Sequence, residues 1–327
     1  MPTFRRAAVA SIAIGLLAGC SSTAPTSLMP ASGSNPTQPV VQQTSLARSS
    51  GDARTSGDAH TRRVLYIADI DGKPGVGQIH VYPADMKNVQ EIRTITNGTG
   101  RPFGLWVDAH NILYVANLAN LYPSSITEFK PGASSPFFTI TNFMGYPQSV
   151  AVDAQQNVYV NESVQDHGFV QVYAPGKGNA ERTIDTGVAG YAFTPGSMAF
   201  DPQGNLLVAE QAKLKLHIVK IVPGAISAVP VNLDLTNITG PGMGIDKTGN
   251  IYVASQGGDV AVFAAGQTEP FRTISPVSGY GLTWVTPQGA VYQASGASTV
   301  TEIAPGSNSP TNTVTCTCSA QGAAVSR

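Results

Sequence analysis

The feature that most constrains the fold is a unit of two short strands around a turn, which recurs along the chain. In the copy at residues 196–210, an apolar run precedes the turn Asp-Pro-Gln-Gly-Asn and a second apolar run follows it. The residue that opens the turn returns at steps of 45, 48, 45 and 40 residues, at Asp108, Asp153, Asp201, Asp246 and Thr286. Such a period, with strands throughout, is typical of a β-propeller, because a single sheet cannot bury both its faces.

The strand count predicts an all-β, six-bladed β-propeller. With strands a to d counted outward from the axis, the third strand recurs as ITEF, VQVY, IVKI, VAVF and VTEI. The fourth recurs as FFTI, ERTI, FRTI and TNTV, with a looser copy at residues 229–235. The propeller, residues 63–327, begins with strands b, c and d of one blade and ends with an a strand at residues 321–326. We expect that strand to pair with residues 64–68, which closes the ring and leaves no open sheet edge.

The first 62 residues read as two segments outside the fold. Residues 1–20 carry Arg5 and Arg6 before an apolar run too short to span a bilayer, which is typical of a leader. Residues 21–62 are rich in Ser, Thr, Pro, Gly and Ala, and we predict a disordered tether, since such a composition cannot offset its ordering entropy.

The end of the leader, Leu-Ala-Gly-Cys at residues 17–20, resembles the lipobox of bacterial lipoproteins. The resemblance implies cleavage of a signal peptide before Cys20 and lipidation of that cysteine. It places the protein on the membrane of a bacterial cell envelope, and on the outer membrane if the cell has one, since Ser21 and not Asp follows the cysteine. An ordinary secretory leader with a chance cysteine is the alternative.

The repeated pattern P-x-x-x-x-V-D-x-x-G-N-x-Y-V-A resembles NHL-type repeats across residues 63–327. It is also similar to the wider six-bladed superfamily that includes gluconolactonase-like proteins. The resemblance implies the fold. It leaves function open, because this fold supports enzymes and binding modules alike.

Polar side chains end the b strands at equivalent positions, and they are candidate ligands for a cation. The residues are Asp69, Asn117, Glu162, Glu210, Ser255 and Ser295. A ring of oxygens around the axis suits Ca²⁺ or another divalent cation. The gluconolactonase resemblance implies metal ligands of the Glu, Asn and Asp types, hence Asp69, Asn117, Glu162 and Glu210. In the alternative interpretation, each side chain hydrogen-bonds its own b-to-c loop.

The longest predicted b-to-c loops are residues 69–77, 118–124 and 163–168. Loops longer than a turn requires are where binding residues collect, so we expect a ligand on this face. The candidate ligand-binding residues are Asp71, Tyr122, Asp166 and His167. Drift in the length of surface loops is an equal alternative.

The remaining residues restrict the classes of function. His80 and His217 fall in c strands and His110 in an a-to-b turn, so no pair of histidines lies near the axis for a lyase of this fold. A formal net charge of −1 without a basic stripe argues against a nucleic-acid partner. Cys316 and Cys318 lie near the last d strand, where residues i and i+2 share a face, so a disulfide, two free thiols or metal binding is consistent with the pattern.

The sequence therefore supports two candidate functions. The first is a membrane-anchored, monomeric propeller that binds an unidentified protein or small molecule on one face, with no certain cofactor. The second is a metal-dependent lactonase or esterase that resembles gluconolactonases. The sequence contains no G-x-S-x-G, H-E-x-x-H or phosphate-binding glycine loop.

Overall fold

The computed structural model describes residues 63–71, 77–86, 90–118, 123–191, 194–236, 238–240, 242–255, 258–275 and 281–327. The predicted leader, residues 1–20, and the predicted tether, residues 21–62, lie outside the described residues. Within the described part of the chain, no helix is long and apolar enough to cross a membrane.

The described residues form strands and turns in six four-stranded sheets. The strands of the first half are β1 (Val64–Asp69), β2 (Gln78–Pro83), β3 (Arg93–Ile95), β4 (Pro102–Val107), β5 (Leu113–Asn117), β6 (Ser125–Phe129), β7 (Phe138–Ile140), β8 (Tyr146–Val152), β9 (Val158–Val164), β10 (His167–Tyr173), β11 (Arg182–Ala189) and β12 (Thr194–Phe200). Those of the second half are β13 (Leu206–Ala212), β14 (Lys215–Ile221), β15 (Val229–Pro230), β16 (Met243–Ile245), β17 (Ile251–Ala254), β18 (Val260–Phe263), β19 (Pro270–Ile274), β20 (Thr283–Val285), β21 (Val291–Ala294), β22 (Thr299–Ile303), β23 (Asn312–Thr315) and β24 (Ala320–Val325).

The sheets are the six predicted blades, numbered here in chain order. Blade 1 has the order β24-β1-β2-β3, and blades 2 to 6 each take four consecutive strands from β4 onward. The innermost strands contact one another in a closed sequence, from β24 through β4, β8, β12, β16 and β20 and back to β24. The all-β six-bladed propeller is therefore confirmed.

Ring closure is confirmed residue by residue. β24 pairs antiparallel with β1, with Leu65 opposite Val325 and Ile67 opposite Ala323. Beyond the ladder, the amide of Val64 donates to the Ser326 hydroxyl at 2.7 Å, and the Ser326 amide returns a bond to the Val64 carbonyl. The two ends of the described chain thus complete one blade.

The core lies between blades, which explains the nearly continuous apolar runs of the b strands. In β13, Leu206 and Val208 pack with blade 3, whereas Leu207 and Ala209 pack with blade 5. Both faces of the strand are buried, so neither face needs polar residues.

Two segments differ from the sequence interpretation. The loop predicted at residues 163–168 is a hairpin, since β9 and β10 continue to a two-residue turn at Gln165 and Asp166. Both turn residues have positive φ, 49° and 62°, which matches the twist of the flanking strands. The outer strand of blade 4, β15, has only two residues, one of them Pro230, which lacks an N–H.

Cys316 and Cys318 form a disulfide, with 5.2 Å between their Cα atoms.

Candidate functional site

The predicted cation ligand of blade 1, Asp69, is buried and fully engaged in hydrogen bonds. Its Oδ1 accepts from the amides of Ser319, at 2.8 Å, and Asp71, at 3.2 Å. Its Oδ2 faces Gln78 Nε2 at 3.2 Å and His80 Nε2 at 3.3 Å. Burial raises the pKa of Asp69, but these hydrogen bonds outweigh it and lower the pKa. His80 also lies 3.1 Å from Glu91, and the two carboxylates raise its pKa against the effect of burial.

Asn117 and Glu162 repeat this arrangement in blades 2 and 3. Asn117 Oδ1 accepts the Gly100 amide at 3.1 Å, and Glu162 Oε2 accepts the Gly145 amide at 2.8 Å. In blades 1 to 3, the polar end of strand b therefore fixes the loop that leads into strand a of the same blade. Burial raises the pKa of Glu162 to about 7, although backbone N–H groups oppose the shift.

Glu210, the candidate of blade 4, lies in the interface with blade 3. Its carboxylate packs directly over Gly168, where a Cβ would clash with it, and beside Thr186. The Thr186 hydroxyl donates to the Gly168 carbonyl at 3.0 Å. Neither carboxylate oxygen accepts a well-formed hydrogen bond from the described residues, although the nearby Thr186 hydroxyl lowers the pKa slightly. Burial dominates and raises the pKa of Glu210 to about 8, so the carboxyl is mostly neutral at pH 7.

The four candidates thus differ in what they offer a cation. The Asp69 and Asn117 oxygens are already bonded, whereas Glu162 Oε1 and both Glu210 oxygens are buried without a partner among the described residues. Those residues contain no group of three or more His, Cys, Asp or Glu placed to hold a metal ion. Cation binding at Asp69, Asn117, Glu162 and Glu210 remains a prediction.

A calcium titration tests that prediction directly. If Ca²⁺ binds here, millimolar CaCl₂ should raise the melting temperature of the full chain, because a ligand of the native state adds RT ln(1 + [L]/Kd). Glu162→Gln and Glu210→Gln should each reduce the rise, while Glu181→Gln, an exposed change on the outside of blade 3, should leave it intact. A wild-type melting temperature that is equal in CaCl₂ and in EDTA would contradict the cation site.

Of the candidate ligand-binding residues of the b-to-c loops, Asp71, Asp166 and His167 are exposed. Asp166 lies in the β9–β10 turn and His167 begins β10, with its Nδ1 3.1 Å from the Gln165 carbonyl. Asp71 lies in blade 1 and Tyr122 lies outside the described residues. The described members therefore come from two separate blades, and their role in binding stays a prediction.

A cavity of about 700 Å³ lies on the opposite face, which carries the a-to-b turns and is called the turn face here. Its inner wall contains Trp106, Trp284, Phe200 and Tyr159. The centroids of the two indoles are 5.0 Å apart at an interplanar angle of 76°, and Trp106 also meets Phe200 edge to face at 6.3 Å. This aromatic-walled cavity, the cup, contains both tryptophans of the chain.

The cup ends inward at the two indoles. Trp106, Trp284 and Met198 line both the cup and a much smaller axial cavity of about 20 Å³. Trp284 is only 9% exposed, and neither indole N–H has a partner among the described residues. Buried donors without partners are uncommon in native proteins and call for a specific explanation.

Four aspartates line the cup, one from each of blades 2 to 5, and each accepts backbone N–H groups of its own turn. They are Asp108, Asp153, Asp201 and Asp246. Asp153 Oδ1 accepts the amides of Gln155 and Asn157, and its Oδ2 accepts Asn157 Nδ2 and the Tyr159 hydroxyl. In Asp246, burial is outweighed by hydrogen bonds from Thr248 and Asn250, which lower the pKa. The turns therefore hold carboxylates whose acceptor sites are largely filled.

The sequence led us to expect a ligand on the face of the b-to-c loops, which stays a prediction, and it did not lead us to expect a cavity on the turn face. A signal was present, because Trp106 and Trp284 each stand two residues before the residue that opens an a-to-b turn, Asp108 or Thr286. The last residues of an a strand lie close to the turn face, so aromatic residues there mark a possible pocket wall. A search for aromatic residues at this repeat position would have found both.

Comparison with known proteins supports the fold only. No family model matches the chain, and no curated protein matches it in sequence. Among solved structures, it is similar to a protein of unknown function from Bacteroides caccae (TM-score 0.59, 12% identity, 81% of this chain and 99% of the other). A protein from Lactobacillus plantarum gives a TM-score of 0.55 at 13% identity, with 81% and 99% covered. A gluconolactonase from Xanthomonas campestris gives 0.51 at 14%, with 66% and 74% covered.

Proposed function

We propose that this chain is a lipid-anchored β-propeller of the bacterial cell envelope that binds a small organic molecule in the cup. The observation that carries the proposal is the 700 Å³ cavity with aromatic walls and a rim of polar turns. Small-molecule sites are typically concave, of this volume, mostly apolar and fitted with a few convergent polar groups. The NHL-type repeat pattern and the lipobox at Cys20 supply the scaffold and the anchor in this proposal.

An occlusion experiment tests the binding site. Ala154 lies exposed in an a-to-b turn at the rim of the cup, so Ala154→Phe should fill the opening without entering the core. Ala297 is equally exposed on the opposite face, which makes Ala297→Phe the matched control. In a fragment screen by saturation-transfer NMR, fragments that bind wild type and the control should lose binding to Ala154→Phe. A screen in which no fragment distinguishes the two variants would overturn the proposal.

Anchoring is predicted to depend on one residue. Cys20→Ser removes the thiol that would carry the lipid, so the variant should accumulate as uncleaved precursor and take up no labelled fatty acid. Labelled palmitate and fractionation of expressing cells measure this, with Ser22→Ala as a control that changes a neighbouring side chain and keeps the cysteine. Equal processing of wild type and Cys20→Ser, without any acyl label, would contradict the anchor.

A metal-dependent lactonase or esterase is the second candidate. The observation that favours it is the pair of buried carboxyls, Glu162 and Glu210, with pKa values raised to about 7 and about 8, since raised pKa values concentrate at functional sites. A panel of lactones and esters, assayed with CaCl₂, tests it. Turnover that survives in Glu162→Gln and Glu210→Gln would exclude these residues from the reaction.

A further inference from the structure

We propose that the cup selects organic cations that carry an apolar body, an inference that rests on the proposed binding function. Two independent properties of the cavity meet here. Its walls are aromatic, with Trp106, Trp284, Phe200 and Tyr159 packed edge to face. Its rim carries an excess of negative charge. A ligand with a positive group and an apolar body is complementary to both.

The charge excess follows from the side chains that line the cup. The lining contains two cationic side chains, Lys247 and Arg327, and four carboxylates, from Asp108, Asp153, Asp201 and Asp246. Asp246 and Asp108 are buried, at 7% and 2% exposure, so solvent screens them less than it screens a surface charge. A low-dielectric cleft lined by one sign of charge concentrates the opposite ion. The net charge of the cup therefore attracts cations.

The hydrogen bonds of the turns favour an organic cation over two other ligand classes, sugars and metal ions. Asp153 and Asp246 each accept four or more hydrogen bonds inside their own turns, and Asp201 accepts three. A carboxylate has about four acceptor sites, so little capacity is left for sugar hydroxyls or for direct coordination of a metal ion. Their charge still acts across several ångströms, so it attracts an organic ammonium group without a direct hydrogen bond.

The aromatic wall adds a second attraction of the same sign. The faces of Trp and Tyr attract ammonium groups through the ring quadrupole, and the effect grows when the site is desolvated. Trp284 is nine-tenths buried and keeps its N–H, a donor without a partner among the described residues, for an acceptor such as a carbonyl or ether oxygen on the ligand's body. A ligand's apolar body can rest on the wall while its cationic group faces the aspartates.

Three matched probes test the inference with the full chain. They are 3-phenylpropylamine, 3-phenyl-1-propanol and 3-phenylpropanoate, which share one apolar body and differ in charge. Both tryptophans lie in the cup, so emission excited at 295 nm reports binding there. We expect the amine to bind at least tenfold more tightly than the alcohol, the carboxylate to bind weakest, and the amine's advantage to shrink in high salt.

A pair of variants locates the effect. Asp201→Asn keeps a side-chain acceptor for its turn and removes one charge from the cup, so affinity for the amine should fall several-fold while that for the alcohol is unchanged. Glu181→Gln removes a charge outside the cup and should change neither. Equal affinities of amine and alcohol would overturn the inference and leave the cup as a neutral binding site. If none of the three probes changes the tryptophan emission or gives heat in a calorimetric titration, both this inference and the proposed function are overturned.

Discussion

A chain that lacks residues 321–327 is expected to lose most of its stability, although the deletion removes only seven residues. Those residues form nearly all of β24, whose ladder with β1 closes the ring. At about 1 kcal/mol for each net hydrogen bond, together with the burial of Ala323, Ala324 and Val325, the loss approaches the total stability of a typical domain. We expect the melting temperature to fall by about 10–20 °C, or folding to fail.

Calorimetry and size-exclusion chromatography measure this result. The truncation also exposes the edge of β1, so the protein should aggregate as its concentration rises. Deletion of Arg327 alone is the control, because that residue is exposed and lies beyond β24. A 321–327 deletion that stays monomeric and melts within a few degrees of wild type would show that the ring does not need this strand.

Glu210→Gln is expected to reverse its effect on stability between pH 5 and pH 8. The folded pKa of Glu210 is raised, to about 8 from a usual 4.5, so the native state keeps a proton that the unfolded chain releases. The stability of wild type is therefore full below about pH 4.5 and declines as pH rises to about 8. At 1.4 kcal/mol per pKa unit, the decline has an upper limit of about 4 kcal/mol at pH 8. Gln cannot ionise and escapes this decline.

The substitution also destabilises the fold at every pH, because the Gln amide enters a site without well-formed hydrogen bonds. This effect is about 1–3 kcal/mol. Glu210→Gln should thus melt below wild type at pH 5 and above it at pH 8, in EDTA. The exposed Glu181→Gln should follow wild type at both pH values. A Glu210→Gln melting difference that is constant from pH 5 to pH 8 would mean that Glu210 is ionised in the fold.

The fold was predictable because the information is local and repeated. Asp201 illustrates this: its Oδ1 accepts the amides of Gln203 and Asn205, all within five residues, so the turn can be read from the sequence. The closure was predictable by counting, since a chain that begins with strand b must end with strand a. The hairpin at residues 163–168 was not, because a two-residue turn of Gln165 and Asp166 lacks the usual glycine.

The cup was harder to predict because it depends on long-range geometry. Strands β4, β8 and β12 each contain a register shift, which in β4 lies between Pro102 and Gly104. A register shift changes the side of the strand on which the later residues lie. Trp106 and Trp284 come from blades 2 and 6, and only the curvature of the ring brings them together. The repeat position of the two tryptophans indicates which face they lie near, but it does not show that they meet in one cavity.

The way the turns satisfy their own hydrogen bonds makes the rim of the cup modular. Each turn aspartate bonds within its own blade, so a change in one turn should leave its neighbours undisturbed and effects should add. Blade 6 already contains a neutral example, in which the Thr286 hydroxyl accepts the Ala290 amide at 3.0 Å. The charge of the rim can therefore be redesigned one blade at a time, with four carboxylates as independent positions and two native tryptophans as the optical readout of each change.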